Sequence, residues 1–185
     1  MKKIPDNAKR VFKGIIYDVY QWEQKMFDGS FETFEALKRH DTVVVMPFDK
    51  DGNVFYARQE QPHFNEKYLS LFGGRSEDGE DPLDAIKREL QEESGLVSND
   101  WQLFSIDKGH RKIDYNVHYY IAKNCEFLSE PELDSGEKIE ILKTTIEDFM
   151  ESVVPADDFI ERTFKSMFHD FSEEKKQAFI DKWKN

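Results

Sequence analysis

Residues 73–96, GGRSEDGEDPLDAIKRELQEESGL, concentrate eight acidic side chains in 24 positions, between paired glycines and a further glycine. Three of these acids, Glu89, Glu92 and Glu93, are spaced i, i+3 and i+4, so on a helix their carboxylates share one edge. Carboxylates this close repel one another, whereas a hard divalent cation such as Mg²⁺ prefers oxygen ligands. The spacing therefore indicates either a metal-binding edge or a solvated acidic helix face.

The residues that flank the acids predict a helix. Asp81 can act as the N-cap, Pro82 fits the first helical position, and Gly95 suits the left-handed residue that ends a helix. An apolar stripe of Leu83, Ile86 and Leu90 lies between these ends and predicts one buried face.

Two further features favour the metal-binding interpretation. The pair Gly73 and Gly74 predicts a tight backbone turn that offers a carbonyl oxygen to a cation. Arg88 can hold the carboxylate of Glu89 in a fixed orientation through a charge-assisted pair.

The same stretch resembles the Nudix box, G-x5-E-x7-R-E-U-x-E-E-x-G-U, in which U is aliphatic. It matches every fixed position of that pattern: Gly74, Glu80, Arg88, Glu89, Leu90, Glu92, Glu93, Gly95 and Leu96. The resemblance implies an α/β/α sandwich and hydrolysis of a nucleoside diphosphate linked to another moiety, with Mg²⁺ or Mn²⁺ as cofactor.

The resemblance also implies roles for individual residues. The expected metal ligands are oxygens of Gly73, Glu89, Glu92 and Glu93. Glu92 and Arg88 are expected at the catalytic centre, where Glu80 and Arg88 orient the ligands.

Outside the box, the chain resembles ADP-ribose pyrophosphatases and related nucleotide-sugar hydrolases over most of its length. By this resemblance Phe34 and Tyr17 are expected to stack on the base, Arg39 to bind phosphate, and Glu137 to act as general base or extra metal ligand. Ordinary strand packing is the alternative for Phe34 and Tyr17, and a solvated loop carboxylate is the alternative for Glu137. For Trp22, an interface or core position is favoured over ligand binding.

Three departures from that subgroup leave the substrate open. The chain has SLFGG at 70–74 where an E-x-P-A-G sequence is frequent, and it has RQEQ at 58–61 where a second arginine is frequent. A proline that often follows the box is also missing. ADP-ribose is the first candidate, followed by another nucleotide sugar. A nucleoside triphosphate or dinucleoside polyphosphate hydrolase is the alternative, and a non-catalytic nucleotide sensor is a third hypothesis.

Strand patterns surround the box helix. An aromatic and β-branched strand is predicted over residues 11–27 and, after a turn at Asp28-Gly29, a returning strand over 31–40. Residues 42–48 and 54–60 are predicted to form a second hairpin. Further strands are expected at 101–107, 117–122 and 138–144.

Helical patterns follow from Thr145, over residues 146–153, 157–168 and 172–183, the last with Ser172 as its N-cap. The fold class is therefore α+β with a mixed sheet, an N-terminal β-hairpin arm and C-terminal helices. We expect residues 1–40 to form this arm and residues 41–185 to form the catalytic domain.

Composition limits the partners. The net charge of −12 argues against nucleic acid and anionic membranes, and it requires cations to mediate the binding of an anionic small-molecule substrate. A single cysteine, Cys125, and the absence of a long apolar run predict a cytoplasmic protein. The aromatic arm predicts a homodimer. Nothing in the Nudix pattern requires His110 or His118, so both are expected to be structural.

Overall fold

The apolar run TVVVMP forms a central strand of the molecule. The computed structural model describes residues 3–109, 111–169 and 172–184, so His110 lies outside the described residues. The strands are β1 (Lys9–Lys13), β2 (Asp18–Lys25), β3 (Phe31–Lys38), β4 (Thr42–Pro47), β5 (Asn53–Glu60), β6 (Tyr68–Ser70), β7 (Phe72–Arg75), β8 (Leu96–Val97), β9 (Asp100–Asp107), β10 (Ile113–Asp114), β11 (Val117–Lys123), β12 (Glu126–Phe127) and β13 (Lys138–Thr145). The helices are α1 (Pro82–Ser94), α2 (Ile146–Asp148), which continues as a π-helical segment (Phe149–Val153), α3 (Arg162–His169) and α4 (Glu173–Trp183).

A mixed sheet of four strands in the order β7-β4-β11-β9 forms the middle layer. β4 and β11 are parallel, and the two outer strands run antiparallel to their neighbours. Val43 and Val45 of β4 point to one face, while Val44 and Met46 point to the other, and all four are buried. Both faces of the sheet are therefore covered.

Different helices cover the two faces. Val43 and Val45 pack in one apolar cluster with Ile86 and Leu90 of α1. The opposite face packs in a second cluster with aromatic side chains of the C-terminal region, among them Phe149, Phe164, Phe179 and Trp183. This arrangement confirms the α+β class and the α/β/α sandwich.

A second sheet, in the order β13-β5-β6, lies beside the first. The prediction that residues 42–48 and 54–60 pair as a hairpin is wrong, because β4 and β5 belong to different sheets. A single bridge between Phe48 and Val54 joins them after the turn. Pairing with β13 along its whole length outcompetes pairing with β4.

The N-terminal sheet has the order β1-β2-β3-β10. The single strand predicted over 11–27 is wrong, since the chain reverses between β1 and β2. The Gly14 N–H donates to the Tyr17 carbonyl at 3.0 Å in this turn. The predicted hairpin at Asp28-Gly29 is confirmed by the antiparallel pairing of β2 with β3. β10, which lies outside the predicted arm of residues 1–40, pairs with β3 in parallel.

Two of the three predicted C-terminal helical segments begin where expected. The segment predicted from residue 157 does not, because Phe159 is bridged to Leu69 and the helix begins only at Arg162. Ser172 caps α4 by accepting from Lys175 N–H at 3.4 Å. Within the described residues, no helix combines the length and apolar composition that a bilayer span requires.

Candidate active site

Helix α1 positions the acidic residues of the box. Its N-cap is Asp81, whose Oδ1 accepts from Leu83 N–H at 2.8 Å, and its C-terminal residue in the left-handed conformation is Gly95, with φ of 70°. Ala85, Ile86 and Leu90 are completely buried against the central sheet. The buried stripe fixes the rotation of the helix, and this rotation turns its glutamates toward β7.

Arg88 lies at the centre of what we call the box cluster, which comprises Glu80, Arg88, Glu89, Glu92 and Glu93. Its Nε and Nη2 donate to the two oxygens of Glu80, both at 3.1 Å. Its Nη1 donates to Glu89 Oε1 and Glu92 Oε2, both at 2.9 Å. These bonds, first those to Glu80, raise the pKa of Arg88, and the Arg88 bond lowers the pKa of Glu80. One cation therefore organises three carboxylates.

Glu93 is the buried member of the cluster. Its side chain is 5% exposed, and its Oε2 accepts from the Gly73 N–H at 2.7 Å. Burial raises the pKa of Glu93 well above its usual value, and burial also raises the pKa of Glu89. Both carboxylates are destabilised in their charged form, which is the condition that a bound cation relieves.

Gly73 lies in an extended strand, so the predicted tight turn at Gly73-Gly74 is wrong. β7 pairs with β4 so that Gly73 stands opposite Val44. A methyl group on Gly73 would overlap the carbonyl oxygen of Val43, and the φ of 153° is one that other residues rarely adopt. The glycine is needed for this close approach of the two strands, which brings the Gly73 backbone to Glu93.

The donor set fits a hard cation in its chemistry, because the candidate ligands are oxygens. Across the described part of the chain, no three acidic, histidine or cysteine side chains are already gathered in a metal-binding arrangement. The hydrogen bonds explain this, since Arg88 holds Glu89 and Glu92 while the Gly73 N–H holds Glu93. In this structure the guanidinium of Arg88 supplies the positive charge that balances the carboxylates of Glu89 and Glu92.

Glu137 lies in the loop that precedes β13. The loop is closed by the Glu137 N–H, which donates to the Asp134 carbonyl at 2.9 Å, and by Glu137 Oε2, which accepts from the Asp134 N–H at 3.2 Å. Burial is the largest factor that raises the pKa of Glu89 and Glu93, and the negative charge of Glu137 also contributes to both increases. The fold therefore brings this loop near the box cluster.

Arg39 and Tyr17 lie together. The Arg39 guanidinium is 5.8 Å from the centre of the Tyr17 ring and 5.0 Å from that of Tyr115, and its Nη2 donates to Thr42 Oγ1 at 2.8 Å. Two cavities share Arg39 in their walls. The guanidinium thus links the N-terminal arm to the central sheet.

Phe34 lies farther along β3, and its half-exposed ring packs edge-to-face on Trp22 at 6.1 Å between ring centres. It contributes to neither of the two cavities that contain Arg39. Phe34 is therefore available on the surface of the arm, and Trp22 packs within the arm sheet.

The two cavities differ in charge. The first cavity, of about 580 Å³, lies between the N-terminal arm and residues that follow it in the chain. Its charged lining comprises Arg10, Lys13, Lys38, Arg39, Arg75, Asp18, Asp41 and Asp78. The second, of about 720 Å³, extends from Arg39 to Gly73 and Glu161. The first cavity thus has an excess of cations in a chain of net charge −12, as an anionic ligand requires.

A hydrogen-bond network fixes the loop that carries Arg39. Asp41 accepts from the Asn116 backbone at 2.8 Å and its side-chain amide at 3.0 Å, and it lies 3.0 Å from His118 Nε2. Burial by itself raises the pKa of Asp41, but these bonds outweigh it and the pKa lies below its ordinary value. His118 thus takes part in the network that holds this loop.

Sequence reasoning missed Asp41 and Glu161. Asp41 lies between two strand patterns without a motif around it. Glu161 falls inside a segment that reads as an amphipathic helix. No local signal marks either residue, because their hydrogen-bond partners, Asn116 and Leu71, are far away in sequence.

Comparisons with known proteins agree with this geometry. A model of the NUDIX domain matches residues 38–167. An ADP-ribose pyrophosphatase of Bacillus subtilis (strain 168) is 26% identical over 149 residues, which cover 78% of this chain and 80% of the relative. A methanol dehydrogenase activator of Bacillus methanolicus is 22% identical over 151 residues, with 79% and 80% covered. A solved structure described as an ADP compounds hydrolase superposes with a TM-score of 0.71 at 19% identity, covering 91% of this chain and 94% of its own.

Proposed function

The chain belongs to the NUDIX domain family and is a Nudix hydrolase, and we propose that its substrate is ADP-ribose. Attack of water on the diphosphate would give AMP and ribose 5-phosphate. The observation that carries the proposed hydrolysis of a diphosphate is the box cluster, in which Arg88 orients three carboxylates while Glu93 is buried beside Gly73. The similarity to an ADP-ribose pyrophosphatase supports the choice of substrate.

For the metal we propose Mg²⁺ or Mn²⁺, held by carboxylates of Glu89, Glu92 and Glu93 and by the Gly73 carbonyl. When bound, such a cation neutralises phosphate oxygens and lowers the pKa of a water. Arg88 keeps Glu89 and Glu92 oriented, and Glu80 fixes Arg88 from the other side. Oxygen-only donors and the burial of the Glu93 carboxylate support this assignment.

For the substrate we propose that Arg39 binds a phosphate, since it lines both cavities near the arm and its guanidinium lies 5.8 Å from the centre of the Tyr17 ring. Phe34 or Tyr17 would stack on the adenine, because both rings are partly exposed on the arm. Glu137 would accept the proton of the attacking water from its loop near the box cluster.

We further propose a cytoplasmic homodimer assembled through the N-terminal arm. Large apolar side chains are exposed there, including Phe12 at 61% and Ile15 at 94%. Such a surface favours burial against a second copy. The buried free thiol of Cys125 is compatible with a reducing compartment. Light scattering should give about twice the chain mass of 21.9 kDa, and a monomer at micromolar concentration would contradict the assembly.

A substrate panel tests the proposed reaction. Purified protein with Mg²⁺ or Mn²⁺ is offered ADP-ribose, other nucleotide sugars, nucleoside triphosphates and dinucleoside polyphosphates, and released phosphomonoester is measured. We expect ADP-ribose to have the highest kcat/KM and to yield equal amounts of AMP and ribose 5-phosphate. Preference for a triphosphate would support the alternative hydrolase, while tight nucleotide binding without turnover would indicate a sensor.

A further inference from the structure

The cavity of about 720 Å³ beside the box cluster has a wall that the proposed roles do not use. Its lining includes Gly73 together with Ser70, Gln59 and Glu161. The volume is within the range of small-ligand sites, roughly 300–1,000 Å³. Because Gly73 belongs to the box region, a group in this cavity would lie next to the reacting diphosphate.

Glu161 is buried in that wall without a complete set of partners. It is 8% exposed, and its Oε2 has no hydrogen-bond partner among the described residues. A backbone hydrogen bond from Leu71 reaches the carboxyl group, yet burial outweighs it and raises the pKa of Glu161 to about 8. Buried polar atoms in native proteins are nearly always paired, so this oxygen calls for an explanation.

The position of Glu161 is fixed by pairing with β6. Leu69 N–H donates to the Asp158 carbonyl at 2.9 Å, and Ile160 N–H donates to the Leu69 carbonyl at 3.0 Å. This pairing delays the start of α3 to Arg162, and it places Glu161 beside Leu71. The carboxyl group is therefore held in the wall by the backbone on both sides.

Ser70 supplies a second unpaired group in the same wall. It is 2% exposed, and its Oγ likewise has no hydrogen-bond partner among the described residues. The neighbouring Gln59 is also buried, and its Oε1 accepts from Tyr68 Oη at 3.1 Å. The wall thus combines a carboxyl, a hydroxyl and an amide, which suits a neutral ligand with several hydroxyl donors rather than a phosphate.

We propose that Glu161 and Ser70 bind the hydroxyl groups of the sugar at the far end of the diphosphate, the terminal ribose of ADP-ribose, and so determine substrate preference. The inference rests on the proposed function, since that function supplies the sugar. One observation of the structure and one feature of the substrate favour this sugar over the base. The wall is close enough to the box cluster for Glu161 to affect Glu93 electrostatically, and the sugar is bonded directly to the diphosphate whereas the base is not.

Binding of the two reaction products, measured separately by calorimetry without metal, tests the inference. Glu161→Ala and Ser70→Ala should each weaken ribose 5-phosphate binding by about tenfold, the effect of one lost hydrogen bond to a polar or charged group. Binding of AMP should be unchanged in both variants. The matched control is Asp157→Ala, which removes an exposed carboxylate four residues away and should bind both products like the wild type.

Kinetics separate this inference from the proposed function. The substrates are ADP-ribose and the methyl ester of ADP, which keeps the diphosphate and adenosine but lacks the terminal sugar. For both variants kcat/KM should fall by about tenfold with ADP-ribose and stay unchanged with the ester. A wild-type protein that is inert toward ADP-ribose would refute the proposed function instead.

Two results would overturn the inference. Equal losses on both substrates would show that the two residues act only structurally. A loss of AMP affinity with intact ribose 5-phosphate affinity would place adenosine in this cavity. Thermal denaturation of each variant, compared with Asp157→Ala, identifies losses that arise from unfolding.

Discussion

Replacing Gly73 by alanine tests whether the close contact of β7 with β4 builds the site. The added methyl would lie 2.9 Å from Val44 Cα and closer still to the Val43 carbonyl oxygen, and both are backbone atoms that cannot rotate away. The overlap costs about 1–3 kcal/mol. The unfavourable φ of 153° costs about 1–3 kcal/mol more. For a chain of this size, the combined loss lowers the melting temperature by roughly 5–20 °C.

The matched control is Gly29→Ala in the turn between β2 and β3. Gly29 also has a positive φ, of 90°, but no atom lies within 4 Å of an added methyl. This variant therefore bears only the backbone strain, about 1–2 kcal/mol. Thermal denaturation of both variants isolates the overlap. Hydrolysis should also be lost in Gly73→Ala alone, because Glu93 loses its fixed N–H donor. Equal melting temperatures for the two variants would refute the close approach.

Four further outcomes are expected. Glu92→Gln should lower kcat by more than about 100-fold at saturating Mg²⁺. The melting temperature of this variant should change little, because Glu92 loses only one partly exposed ion pair with Arg88. Turnover like that of the wild type would contradict the role of Glu92. Glu137→Gln should lower kcat by roughly 10²–10⁴-fold with KM almost unchanged in steady-state assays. Phe34→Ala should raise KM through the loss of about 1–3 kcal/mol of stacking while kcat stays constant, and an unchanged KM would place the base elsewhere. Burial alone raises the pKa of Asp41, but the hydrogen bonds of this carboxylate lower its pKa overall. The stability that Asp41 provides is therefore present above its unfolded pKa of about 3.9, and it is lost as the pH falls through the folded pKa. Urea unfolding between about pH 5 and 3 should show a weaker acid dependence for Asp41→Asn.

The helix that carries the box could be predicted because its signals are local. Asp81 and Gly95 supply the ends, and the stripe of Ile86 and Leu90 supplies the buried face, all within one stretch of chain. The strands from Thr42 and Val117 were predictable for a related reason, since both are nearly continuous apolar runs that fit a buried sheet.

The errors arose where pairing partners are far apart in sequence. Residues 11–27 have uniform strand propensity, yet Gly14 allows a reversal that produces two strands. β5 follows β4 closely but pairs with β13. The helical pattern from residue 157 begins late because Asp158 and Ile160 bond to Leu69. Propensity does not encode these pairings, since each is decided by competition among distant strands.

The sequence by itself determined the chemistry of the box, because residue type and spacing place Glu89, Glu92 and Glu93 on one helix edge beside Arg88. Tertiary structure alone decided that Glu93 is buried while Glu92 remains partly exposed. It also brought Glu137 to the cluster, and it placed Glu161 beside Ser70 in one cavity wall. Spacing fixes which side chains share a helix edge, whereas burial and electrostatic environment depend on every element that packs against that edge.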